Sequence, residues 1–293
     1  MSSPPDFDAL WNFNDPVTTE QTFREILKSE SAENSSDRPD WQWELLTQIA
    51  RAQGLQRKFD DAHATLDSVE EQAKTKSSRV GIRYLLERGR VFNSSKKPDE
   101  ATPLFLKAWE AAREAGEDAL AIDAAHMLAI VADPQNALDW NQQALELATT
   151  SPNPTARRWA GSLHNNIGWT HHGNGDYSKA LEHFEKALAC REREHQTEEI
   201  PIARWCLARC LRSLGKIAEA LEIQKGLLAE HREAGTTDGY VFEELAECQW
   251  AMGMQDKARE HFAMAYAELS QDRWLMDNEP DRINRLRELG AVD

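Results

Sequence analysis

Few residues in this 293-residue chain interrupt a helix or cross-link a fold. Proline occurs 11 times and glycine 14 times, mostly between stretches of apolar periodicity. That scarcity, beside abundant Ala, Leu, Glu, Lys, Arg and Gln, favours an all-α protein. The four cysteines are Cys190, Cys206, Cys210 and Cys248. Two stand four apart on an expected helix, which suits reduced thiols better than a disulfide framework and points to the cytoplasm. No run of about 18 apolar residues exists, so no membrane span is expected. The opening MSSPPDFDALWNF lacks a basic region followed by an apolar one, so no secretory signal is expected. Basic residues are also short: 34 Lys and Arg against 50 Asp and Glu give a net charge of −16. Such a surface repels nucleic acid and anionic lipid, and no long basic run overrides the total. Phosphate-loop, GxSxG, HExxH and glycine-rich dinucleotide motifs are absent. GNGDYS lacks the lysine and strand context of a phosphate loop and reads as a turn.

What the chain does contain is a repeat. A Gly, Arg or Lys turn leads to an aromatic or aliphatic residue, then Ala, an apolar residue four on and a small residue three further. GDYSKALEHFEKAL shows it best, with Gly175, Tyr177, Ala180, Phe184 and Ala187. The anchoring alanines are Ala62, Ala101, Ala137, Ala180, Ala220 and Ala258, at spacings of 39, 36, 43, 40 and 38. A small residue there lets the preceding helix approach closely, and the aromatic one turn later fills the gap. Upstream of each alanine lies a second periodic helix. In the fourth repeat it carries His164, Ile167, Gly168 and His171.

This pattern resembles the tetratricopeptide repeat family, best over 161–194 and in all over about 43–270. The repeats exceed the family's usual ~34 residues, and look more like those of kinesin light chain-type adaptors. The third departs most, with a turn at VADPQ about four residues short in that alignment. The fifth has Gln224 where the family has Phe. The resemblance implies an all-α, right-handed superhelical solenoid of about six helix-turn-helix repeats with capping helices at both ends. Residues 1–13 are expected to be disordered. Residues 14–40 read as a capping helix exposing Phe23, Ile26 and Leu27, then a polar linker. The solenoid covers 41–270. The last segment, 271–293, holds a capping helix with Ile283, Leu286 and Leu289, and Gly290 at C′. Asn153-Pro154 is expected to open a long helix through Trp159 and Trp169.

In this family the first helix of each repeat lines the concave side. Carried over, the groove positions include Arg83 and Arg90 in the second repeat. The fourth gives Asn165, Asn166, Trp169 and His172. The fifth gives Trp205, Arg209 and Arg212, and the sixth gives Tyr240 and Trp250. Side-by-side Asn residues can pair both groups of an extended backbone. Trp and Arg dominate binding hot spots, and Arg209 and Arg212 offer forked donors to a carboxylate. Packing of Trp169 and Trp205 between neighbouring first helices is the alternative reading of those two. The family's heat-shock-tail clamp is not supported. Asn166 matches one member, but His126, Ile130, Ile202 and Cys206 stand where Lys, Asn, Lys and Arg are needed. Glu243, Glu244 and Glu247 read as a solvated ridge. Cys206, Cys210, His164, His171 and His172 read as core residues and thiols rather than metal ligands, and no cofactor is expected.

The expectation is therefore a scaffold or adaptor, not an enzyme. It would hold an extended protein or peptide segment, acidic or C-terminal in character. The alternatives are a peptide- or ligand-responsive sensor and, less favoured, a helical-array enzyme using the His–Cys cluster.

Overall fold

The computed structural model describes residues 6–29, 38–74 and 79–292, and helix is the regular structure they form. The chain divides into two compact units, Met1–Leu163 and His164–Asp293. The first contains α1 (Phe7–Leu10), α2 (Pro16–Ser29), α3 (Asp40–Leu55), α4 (Phe59–Asp67), α5 (Glu70–Lys74), α6 (Arg79–Ser94), α7 (Pro98–Ala115), α8 (Asp118–Val131), α9 (Pro134–Thr150) and α10 (Pro154–Arg157). The boundary falls inside α11 (Ala160–Gly173). The second unit continues with α12 (Tyr177–Arg193), α13 (Ile200–Ser213), α14 (Ile217–Ala234), α15 (Gly239–Ala251), α16 (Gln255–Leu269), α17 (Arg273–Asn278) and α18 (Pro280–Gly290). The repeats are the hairpins α3/α4, α6/α7 and α8/α9 in the first unit, and α11/α12, α13/α14 and α15/α16 from there on.

Five of the six hairpins close on the expected small-residue contact. Ala62, Ala101, Ala180, Ala220 and Ala258 are fully buried, as are Phe105, Phe184 and Phe262. A Cβ on Gly89 would stand 2.4 Å from the Phe105 ring, and one on Gly168 would stand 2.7 Å from Phe184. The ring therefore occupies the volume a side chain on the first helix would need. In the first repeat the ring is replaced by Leu66 and the glycine by Ala50, both fully buried. The residue opening each turn is left-handed: Gly175, Gly215 and Gly253 at φ 76–80°, and Arg57 and Lys96 at φ 62° and 65°. That shared conformation accounts for glycine in the last three of these turns, while Arg57 and Lys96 adopt it without glycine's freedom.

The third repeat departs in packing as well as length. Ala137 is only half-buried, and Asn141 takes the aromatic position, its amide bonded back to the Ala137 carbonyl at 2.9 Å. Its turn uses Asp133 as an N-cap, accepting from the backbone N–H groups of Gln135 and Asn136, in place of a left-handed residue. In the fifth, Gln224 is fully buried and its amide has no hydrogen-bond partner among the described residues.

Several boundaries differ from expectation. Residues 6–13 are not featureless. Phe7 is buried against Phe23, and Trp11 meets the Phe23 ring edge-on at 5.5 Å. Two aromatic rings in a polar segment suffice to dock it. Residues 1–5 and most of the expected linker, 30–37, lie outside the described residues. The long helix after Asn153 breaks at Arg158 and Trp159 into α10 and α11, although Asn153 does cap it by accepting from Thr155 N. Gly290 is the last helical residue rather than C′, and Ala291 is the left-handed one at φ 50°. Glycine is needed at 290 for another reason: a Cβ would meet the Ala263 backbone at 2.7 Å.

The glycine–ring contact makes a prediction. Gly168→Ala should destabilise the protein by overpacking, about 1–3 kcal/mol, less the roughly 1 kcal/mol that alanine gains in a helix. In a Phe184→Leu background, which reproduces the Ala50–Leu66 pairing, the same substitution should be neutral or stabilising. Chemical denaturation of the four proteins in the cycle measures the coupling; additive effects would contradict this account of the glycine.

Candidate functional site

Within each unit, successive first helices present inner positions to one another, and many of those positions are charged. In the first unit, Glu44 on α3 binds Arg79 and Arg83 on α6, each at 2.9 Å. Gln48 donates to Glu87 at 3.5 Å, Arg51 pairs with Glu87 at 3.9 Å, and Arg90 bridges Glu87 and Asp123 of α8. Glu87 is fully buried. Burial opposes the charge on Arg90, but Asp123 and Glu87 more than offset it and hold its pKa above the usual arginine value. Arg83 and Arg90 are therefore members of an internal network rather than donors waiting for a ligand.

The second unit repeats the theme around an open cleft of about 500 Å³. Trp169 and Trp205 line one side, with ring centroids 6.0 Å apart. Trp205 is fixed by donation from Nε1 to the Tyr240 carbonyl at 3.0 Å, with the Tyr240 ring edge-on at 5.8 Å. These tryptophans pack between first helices and also border the cleft. The remaining lining comes from Arg209 and Arg212 of α13, Glu243, Glu244 and Glu247 of α15, Glu279 and, on α18, Arg282 and Arg285.

The expected carboxylate fork, Arg209 and Arg212, is already occupied. Arg212 donates twice to Glu244, Nε to Oε2 at 2.8 Å and Nη2 to Oε1 at 3.0 Å. Arg209 reaches the same carboxylate at 3.2 Å. Arg282 pairs with Glu243 and Glu279, and Arg285 with Glu247. The acidic ridge is accordingly not a solvated face. Glu243 and Glu244 are buried, because the arginines of two neighbouring helices close over them. Burial pushes the Glu244 carboxyl up to about 7 against the pull of Arg212, with Glu243 and Glu247 adding to the rise.

The other expected groove residues are scattered. His172 bonds Ser213 Oγ at 2.9 Å and packs against Trp169 at 5.1 Å, just beside the cleft. Asn165 keeps a buried amide oxygen with no partner among the described residues. Neither Asn165 nor Asn166 lines the cleft. Trp250 lies away from it, edge-on to Phe262 at 6.2 Å and 41% exposed. Glu279, Arg282 and Arg285 were missed, although Arg282 follows Glu243 by 39 residues and Arg285 follows Glu247 by 38, about one repeat.

The thiols and imidazoles have their own arrangement. All four cysteines are buried and unpaired, and burial pushes Cys206 and Cys210 up to about 11 and Cys248 up to about 12. Such thiols stay protonated at neutral pH and are poor nucleophiles. His164 and His183 face each other, Nδ1 to Nδ1, at 3.1 Å. Burial, then the neighbouring His183, brings His164 down to about 4. Among the described residues no cluster of three or more His, Cys, Asp or Glu side chains is disposed to hold a metal ion, and no helix is long and apolar enough to cross a membrane.

Comparison with known proteins agrees with the hairpin array. Two tetratricopeptide repeat models match, over residues 125–193 and 165–235. No curated protein sequence matches the chain. Among solved structures, a signal transduction ATPase with numerous domains and a tetratricopeptide repeat sensor, from Pyrococcus horikoshii, superposes with a TM-score of 0.69 at 14% identity. The match covers 94% of this chain but only 43% of that protein. The apo form of RapI gives 0.68 at 13% identity, covering 91% of this chain and 77% of RapI. NprR in complex with its cognate peptide NprX gives 0.56 at 17% identity, covering 97% and 81%. At these identities the likeness is one of fold.

Two titrations follow, with opposite signs. The unfolded Glu244 carboxyl titrates near 4.5 and the folded one near 7. The folded state therefore holds that proton more tightly, and the stability it contributes is lost as pH rises between those values. The stability difference between the parent and Glu244→Gln should shrink by roughly 2 kcal/mol from pH 5 to pH 8. A pH-independent difference in urea titrations would refute the assignment. For His164 the folded value lies below the unfolded 6.5, so stability is lost as pH falls from 6.5 toward 4. His164→Gln should remove about 1 kcal/mol of that acid sensitivity, given its partial exposure, read as a flatter profile of Tm against pH.

Proposed function

Because the chain is a tetratricopeptide-repeat protein, we propose that it acts by binding rather than catalysis, holding an extended segment of a protein partner against the first helices. The cleft beside Trp169 and Trp205 is the proposed anchor. One observation carries this reading: an open cleft bordered by two tryptophans, in which four arginines face four glutamates. Aromatic surface supplies contact area at low entropic cost. Paired charges on the rim supply register, since a ligand charge of either sign can exchange with the one already present.

That pairing also shapes the proposed ligand. An acidic or C-terminal carboxylate reaches Arg209 and Arg212 only by displacing Glu244, which is accommodated when Glu244 takes up a proton. Capture of such a segment would then strengthen as pH falls below 7. A cytoplasmic setting suits the four buried thiols. We also assign α2 and α18 as the caps of the array, with Phe23 and Leu286 fully buried in the end clusters.

A second reading, a peptide-responsive sensor, draws on the folds above. One is described as a tetratricopeptide repeat sensor and another is bound to its cognate peptide. The charge network favours it further, because a ligand that replaces one carboxylate releases bonds between neighbouring helices.

The test is selection of 12-residue peptides from a random library on the full chain, with affinities then measured calorimetrically. Trp169→Ala and Arg209→Ala should each weaken the selected peptides, the tryptophan by about 2 kcal/mol or more, with helical circular dichroism retained. Binders indifferent to both substitutions would place the recognition surface elsewhere. A fall in scattering radius on binding would select the sensor over the static scaffold.

A further inference from the structure

The inner face of the first repeat is already covered by the chain itself. Gln48 and Arg51 hold on α3 the register positions that Glu87 and Arg90 hold on α6, 39 residues on. The segment between α1 and α2 lies across them. Trp11 Nε1 donates to Gln48 Oε1 at 3.1 Å. The Trp11 and Phe13 rings stack at 4.8 Å with 5° between their planes. The Arg51 guanidinium sits 5.4 Å from the first ring and 5.2 Å from the second. Between them, Asn12 is held at both ends of its backbone by Thr19 Oγ1, which accepts from its N–H at 3.2 Å and donates to its carbonyl at 3.0 Å.

Capping alone does not explain this arrangement. The apolar end of the array is closed by Phe7 and Phe23, both buried. Phe13 adds nothing to that core and remains 56% exposed. Its position is set by a paired cation and a neighbouring ring, contacts that a competing segment can reproduce. From this geometry we propose that the inner face of α3, with Glu87 of α6 paired to Arg51, is a receptor surface for an aromatic–x–aromatic segment, and that Trp11-Asn12-Phe13 is its resident internal ligand. The proposal rests on the reading of the first-helix face as the binding surface. It adds that a partner engaging the first unit must carry two aromatic residues flanking one other and must displace the chain's own. The charge of the site fits: Arg51 is shared with Glu87 at 3.9 Å, so the surface selects ring faces rather than a second carboxylate.

The probe is a fluorescein-labelled synthetic peptide of residues 6–14, DFDALWNFN, followed by anisotropy. Full-length protein carrying Phe7→Ala, Trp11→Ala and Phe13→Ala together should bind it at least tenfold more tightly than the unaltered chain, whose own segment competes. Adding Arg51→Ala to the triple variant should weaken binding at least fivefold. Equal affinity for the unaltered and triple proteins, or indifference to Arg51→Ala, overturns the proposal. Should the triple variant lose its helical circular dichroism, the decision passes to single substitutions in the full chain. Phe13→Ala and Arg51→Ala should each speed chymotryptic cleavage after Trp11 at least threefold, and unchanged rates overturn the proposal. These readouts lie in the first unit. Failure here leaves the Trp169 cleft untouched, and failure of the cleft variants leaves this surface untouched.

Discussion

An aromatic ring laid on a glycine sets the spacing on which much of the rest depends. Where Phe105 covers Gly89 and Phe184 covers Gly168, the two helices of a hairpin stand as close as a side-chain-free backbone allows. That approach leaves no room for water, so the contact is made by dispersion and burial alone. It also fixes which way the first helix faces. With its small-residue stripe turned to its own partner, its polar positions are turned toward the first helix of the next repeat. The charge pairs Glu44–Arg83 and Glu243–Arg282, each 39 residues apart, are consequences of that rotation.

The inner face built this way is charged but nearly self-neutralised. An Arg–Glu pair removed from water returns little net stability, because desolvation consumes most of the attraction. Its larger effect is to specify register, since a one-residue slip would leave carboxylates such as Glu87 and Glu244 buried without a cation. Glu244 shows how near the balance lies. It accepts three arginine contacts, yet burial together with two neighbouring glutamates still holds its carboxyl near neutrality. A site in that condition is sensitive to any third charge, whether a proton or a ligand carboxylate.

The repeat was legible because its contacts are local and periodic. Ala101, Ala180 and Ala258 announce the close approach, and Phe105, Phe184 and Phe262 follow at a fixed interval. What the pattern hides is where the polar side chains go. Arg209 and Arg212 look like open donors in the sequence. Only the neighbouring helix, about thirty residues on, reveals that Glu244 fills the fork. That partner stands 35 and 32 residues on, short of the 38-residue repeat, so the rule that opposite charges recur one repeat apart points to Glu247 rather than to Glu244. The same rule points from Glu243 to Arg282 on what otherwise reads as a terminal cap. Residues 6–13 were misjudged for a different reason. Composition averaged over a short polar segment gives little weight to Phe7 and Trp11, although two rings are enough to order it. Gly290 was placed at C′ rather than as the last helical residue, because a glycine at a helix end serves either a left-handed turn or, as here, a close backbone approach.

α18 and the segment before α2 each meet the repeats on the inner face as well as the apolar one. At the C-terminal end α18 does more than bury Ile283 and Leu286. Its Arg282 and Arg285 supply the cations that Glu243 and Glu247 would otherwise draw from a further repeat. Over α3, the rings of Trp11 and Phe13 cover Arg51 in the place that a neighbouring first helix takes elsewhere in the first unit. The two solutions differ in strength. α18 is bound through charge-assisted hydrogen bonds and a buried apolar stripe, whereas the N-terminal rings rest on an amide, a guanidinium, each other and, for Trp11, the edge of Phe23. The two closures are therefore unequal, and the weaker one, at Trp11 and Phe13, lies over the inner face of α3.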